Sequence, residues 1–152
     1  SLCDFLNRSN EVFAFSAKME YYRKDRKSNE LKSLFPGYVF VKTELDQLEF
    51  NEWLKNQKVK KGFIKQLQYQ TVSALTPEEM QLFNLLLDDK GVLKMSYGEL
   101  VDSKLVIKEG PLCDFEPYII KYDKRNRLAV LDLFFMEKQW ISGVTLLENK
   151  EL

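Results

Sequence analysis

Two helix-start signals, set among short aromatic runs, constrain this chain more than any other feature. Asp46 is followed three residues on by Glu49, and Thr76-Pro77 is followed by Glu79. In such a capping box the first side chain accepts from an N–H of the first turn while the glutamate reaches back to the cap N–H, and proline at the first helical position sacrifices no hydrogen bond. Leu45 with Phe50 and Leu75 with Met80 read as hydrophobic staples across these starts. Phe50, Trp53 and Leu54 then share one helical face, and Leu82, Phe83, Leu86 and Leu87 point inward from the second helix.

Strand signals surround the helices. Residues 12–19 are short and aromatic-rich and lead into a charged stretch from Arg23 to Glu30, which reads as a strand and a solvated hairpin tip. The run from Leu34 to Val41, aromatic and β-branched after Pro36-Gly37, is expected to be a central strand. Gly62 to Leu67 offers another. Residues 88–98 carry turn residues and weak periodicity, and beyond them the texture changes to short strands alone: Leu105–Ile107, Tyr118–Tyr122, Leu128–Phe134 and Trp140–Val144, separated by turns at Glu109-Gly110-Pro111 and at Asp123 to Asn126. The expected class is α+β: an α/β sandwich over residues 1–90, a linker over 91–98 and a small β-barrel over 99–152.

Composition narrows the function classes. Lys plus Arg and Asp plus Glu are 23 each, so nucleic-acid contact has to come from a local patch rather than from net charge. Residues 99–152 hold more acidic than basic residues. Histidine is absent, Cys3 and Cys113 match no metal or redox spacing, and no phosphate-binding glycine loop occurs, which closes the common catalytic routes; no cofactor is expected. Glu78 and Glu79 have a simpler role beside a helix N-terminus. No apolar run is long enough to span a bilayer, and the expectation is a soluble, cytoplasmic, monomeric protein.

Two motifs resemble a known family. Leu34-Phe35-Pro36-Gly37-Tyr38-Val39-Phe40-Val41 resembles the signature strand of the NusG amino-terminal (NGN) domain, and Leu105-Val106-Ile107-Lys108-Glu109-Gly110-Pro111-Leu112, with Phe115 and Ile119 to Asp123, is similar to a KOW motif. Their order and separation match that two-domain family across nearly the whole chain. The stretches Ile120 to Ala129 and Phe135 to Val144 are most similar to the LoaP group of specialised NusG paralogues. The resemblance implies an NGN sandwich followed by a KOW barrel. It also implies a non-enzymatic antitermination factor that holds the clamp helices of RNA polymerase with the first domain and a leader RNA hairpin with the second. A general NusG-type elongation factor, whose KOW domain recruits a termination factor or the ribosome, is the alternative. The chain departs from the pattern in two places: the family's opening strand is expected upstream of Ser1, and Pro117 stands where a second glycine is common.

On that resemblance Phe35, Tyr38 and Phe40 are the polymerase-binding candidates; the plainer reading makes them core under the helices. Lys121, Lys124, Arg125 and Arg127, with Lys138 in addition, are the RNA-binding candidates, since cations at a hairpin tip neutralise phosphates; the plainer reading is a solvated turn. Arg23 to Lys27 and Lys58, Lys60 and Lys61 form comparable basic patches. Trp140 reads as core. The RfaH group of the family has a KOW region that refolds as helices, but the alternation from Tyr118 to Phe134 predicts strands.

Overall fold

The structure, a computed structural model, describes residues 2–8, 11–56 and 74–150. In chain order they form α1 (Leu2–Leu6), β1 (Val12–Phe15), β2 (Lys18–Arg23), β3 (Ser28–Ser33), β4 (Phe40–Thr43), α2 (Gln47–Asn56), α3 (Pro77–Leu86), β5 (Val92–Leu93), β6 (Ser96–Val101), β7 (Lys104–Glu109), β8 (Ile119–Asp123), β9 (Leu128–Phe135) and β10 (Lys138–Leu146). The class is α+β. The strands make a β1-β4 pair, a three-stranded sheet β3-β2-β5 and a five-stranded sheet β7-β6-β10-β9-β8. Register shifts interrupt the β6/β7, β9/β10 and β8/β9 ladders, and such bulges bend strands and tighten their twist, so the large sheet curls into a half-barrel. The expected strand at Gly62–Leu67 and the Lys58, Lys60 and Lys61 patch lie outside the described residues.

Both capping boxes form. Asp46 Oδ1 accepts from Glu49 N at 2.8 Å and Glu49 Oε1 accepts from Asp46 N at 3.2 Å; Thr76 Oγ1 and Glu79 exchange the equivalent bonds at 3.2 and 2.9 Å. Leu45 packs with Phe50 in one cluster, whereas Leu75 packs on the larger core and Met80 stays half exposed.

The Leu34–Val41 run is strand only at Phe40 and Val41, where β4 begins. Its chain turns at Phe35 to Tyr38, where Tyr38 N donates to Phe35 O at 3.3 Å and Gly37 takes φ +88, a left-handed conformation that disrupts an extended run. Only from Phe40 does it extend, where among the described residues it pairs with β1. Burial of Phe35 explains the turn: its ring drops into the core instead of alternating across a sheet.

Residues 91–98, read as a linker, are built into the fold. Val92 and Leu93 pair in parallel with Lys18 and Met19, and β6 is held between β7 and β10. Val92, Leu93, Met95 and Ser96 are all buried. One large cluster therefore joins the sequence's two halves, with Phe35, Phe40 and Phe83 from the first packed on Phe135 and Trp140 from the second. Phe35 meets Trp140 edge-on at 4.9 Å between centroids and Phe135 at 5.0 Å, and ring pairs of this kind contribute about 0.5–1.5 kcal/mol each beyond area burial. A satellite cluster of Leu6, Val12, Ala14, Phe50 and Leu54 lies under α2. Where β10 crosses β2, Gly143 allows the approach: a Cβ there would stand 2.7 Å from the Glu20 carbonyl oxygen. No helix among the described residues is long and apolar enough to cross a membrane.

Candidate nucleic-acid interface and aromatic groove

The basic candidates of the second half gather on the β8–β9 hairpin. Tyr122 opposes Ala129 and Asp123 opposes Leu128, leaving residues 124–127 as the turn. Arg127 closes it in the left-handed region at φ 56. Asp123 accepts from Asn126 N at 3.0 Å and from Asn126 Nδ2 at 2.7 Å. The Asn126 side chain above all, then its backbone N–H, holds the Asp123 carboxyl below the usual carboxylate range. Tied up in this way, Asp123 braces the turn. Lys121, Lys124 and Arg125 are exposed, and no ion pair joins them or Arg127 to a described residue.

Tyr122 anchors this hairpin from below, its hydroxyl donating to the Val144 carbonyl at 2.8 Å. Burial pushes its phenol pKa up, and the nearby Arg127 charge acts in the opposite direction.

The β2–β3 hairpin stands beside it. Arg23 opposes Ser28, so residues 24–27 form its turn, closed by Lys27 at φ 51. The Arg127 guanidinium stacks over the Tyr22 ring at 3.6 Å, joining the two hairpins. Lys24 also lies close enough to add its charge to the lowering of the Asp123 pKa. Within this turn the acids are engaged: Arg23 binds Asp25 at 2.9 Å and Glu30 at 3.2 Å, and Arg26 approaches Glu30 at 3.8 Å.

Lys138 does not join this patch. It opens β10 at the far end of β9, roughly 20 Å from the turn at about 3.3 Å per residue. There its ammonium donates to the Leu34 carbonyl at 2.6 Å and lies 5.8 Å above the Phe35 ring. The site is a groove of about 370 Å³ lined by Phe35, Pro36, Tyr38, Phe135, Met136, Glu137 and Lys138.

The polymerase-binding candidates separate here. Phe35 is 2% and Phe40 7% exposed, so both present almost no surface, whereas Tyr38 is 42% exposed and stacks on Phe40 at 6.3 Å. Tyr38 is the residue of the three that a partner can touch in this arrangement, with the two phenylalanines supporting it. Trp140, 1% exposed, is core.

Sequence reading missed Tyr22, Phe135 and Met136. Tyr22 sits two residues before a basic turn, at the position Tyr122 takes in the other hairpin, and that shared spacing was a usable signal. Nothing in the sequence links Phe135 and Met136 to Tyr38; only the fold does.

Among the described residues, no group of three or more His, Cys, Asp or Glu is placed to hold a metal ion. No family model matches the chain, and no curated protein matches it.

Proposed function

We propose that this protein is a NusG-type transcription elongation factor of the LoaP kind, in which an NGN-like first half docks on the clamp helices of RNA polymerase and a KOW-like curled sheet binds a leader RNA hairpin. It works by binding, without catalysis, and promotes processive antitermination in the cytoplasm. The observation that carries this reading is the β8–β9 turn, where Lys124 and Arg125 are exposed beside the stacked Arg127, all three without ion pairs to described residues, the turn's carboxylate being taken by Asn126. Unpaired cations at a hairpin tip can neutralise phosphates and release their counterions. The half-exposed Tyr38 beside Pro36 and Met136 supplies an amphipathic anchor for a helical partner.

A second reading has its own support. Ile120 is 59% exposed on the edge strand β8 and Phe134 54% on its neighbour β9, an apolar feature that suits a protein partner, as in a general NusG-type factor.

Two binding measurements test the proposal. Purified protein is expected to co-sediment with RNA polymerase, with Tyr38→Ala weakening that association about tenfold. It is also expected to shift a leader hairpin in a gel, with Lys124→Gln/Arg125→Gln abolishing the shift. Failure to bind polymerase and RNA would refute the reading, and polymerase binding with no RNA shift would favour the protein-recruiting alternative.

A further inference from the structure

The two basic turns are built alike and held together. In each, a tyrosine two residues before the turn (Tyr22, Tyr122) precedes four turn residues, and a basic residue in the left-handed region closes it (Lys27, Arg127). The Arg127 guanidinium carbon sits over the Tyr22 ring, 3.6 Å from its centroid, so a residue of the second hairpin is held by the first. Stacking occupies the face of a guanidinium and leaves its in-plane N–H donors for other partners. No described side chain takes a hydrogen bond from them.

The surrounding charge is one-sided. Asp25 and Glu30 are held by Arg23, and Asp123 is held by Asn126, while Lys24, Lys27, Lys124 and Arg125 are exposed. Duplex RNA is recognised mainly through its phosphates and shape across its shallow minor groove, so it rewards cations carried on two fixed protrusions more than on one. An acidic peptide has no such preset spacing.

We propose that the β2–β3 and β8–β9 turns form one composite surface for duplex RNA, with Lys24 and Lys27 contacting phosphates alongside Lys124 and Arg125, and with Tyr22 acting as the positioning residue that fixes Arg127. This rests on the RNA-binding reading above and extends it to the first half of the chain.

The test is fluorescence anisotropy with an RNA hairpin of about 16 base pairs, titrated across salt concentrations. Lys24→Gln/Lys27→Gln is expected to weaken binding about three- to tenfold and to reduce the log–log salt slope by about one for each phosphate no longer neutralised. Tyr22→Leu keeps every cation, so it is expected to weaken binding about threefold with the slope unchanged, and Tyr22→Phe, which retains the stacking face, is expected to restore the affinity. If Lys24→Gln/Lys27→Gln binds with unchanged affinity and slope while Lys124→Gln/Arg125→Gln is impaired, the composite surface is overturned and the RNA-binding reading stands. If the unaltered protein binds no hairpin, or retains polyglutamate in its place, both fall.

Discussion

The β2–β3 and β8–β9 hairpins share a plan and differ in how their charge is spent. The first turn pairs part of its charge within itself, with Arg23 binding Asp25 and Glu30 and Arg26 reaching Glu30. In the second, an amide does the same work: Asn126 satisfies Asp123 and leaves Lys124, Arg125 and Arg127 without described ion pairs. What differs is how many cations are spent on the turn's acids: Arg23 and Arg26 are paired in the first turn, leaving Lys24 and Lys27 exposed, whereas a neutral amide satisfies Asp123 in the second.

Both hairpins depend on the shared aromatic core, and its removal is expected to have the largest effect. Trp140→Ala should destabilise the protein by about 3–5 kcal/mol in chemical denaturation. Because Phe35 and Phe83 pack on the same ring, tyrosine signals from both halves should disappear in one transition. Two separate transitions would break the comparison, since the hairpins would then belong to independent units.

The next effect is on RNA affinity. Lys124→Gln/Arg125→Gln is expected to cost at least tenfold, about 1.4 kcal/mol, and more than the matching change at Lys24 and Lys27. Equal losses would show that the internal ion pairs of the first turn do not matter. A smaller change sharpens the same point in the opposite direction: Glu30→Gln frees Arg26 and leaves Arg23 paired with Asp25 alone, so binding to the same hairpin should strengthen by a few fold and its salt slope should steepen.

The smallest effect concerns the brace at Asp123. Its folded-state pKa is depressed, so the contribution of the ionised group is present above the ordinary carboxylate pKa, about 3.9, and is lost as pH falls through the lower folded value. In an NMR titration Asp123 should titrate below that ordinary value. Asn126→Ala, which removes the largest cause, should bring the midpoint up toward it; an unmoved midpoint would mean that Asn126 does not hold the carboxyl.

Local signals were legible in the sequence and non-local ones were not. The capping boxes at Asp46 and Thr76 formed as their spacing predicts, because every partner lies within three residues. Strands β7 to β10 were found to within a few residues, their turns being marked by Gly110-Pro111 and by Asp123 to Asn126. The first half of β6, Ser96 to Gly98, reads as linker in the sequence, since Ser96 and Gly98 look like turn residues. In the fold, Ser96 Oγ accepts from Leu112 N, and the bare Gly98 fits against the Val106 carbonyl. The same limit applies at the site. Lys124 and Arg125 could be chosen from composition and position, but the assignment of Lys138 to the groove and of Phe35 and Phe40 to the core needed the packing of the whole chain.

The central claim, a binding factor that couples polymerase to RNA, is tested most directly by transcription in a purified system. The template carries a leader hairpin upstream of a terminator. Adding the protein is expected to raise read-through of that terminator, with the rise abolished when the hairpin is deleted and abolished again in Lys124→Gln/Arg125→Gln. Read-through that stays at its basal level with the protein present, or that rises equally without the hairpin, would contradict RNA-guided antitermination.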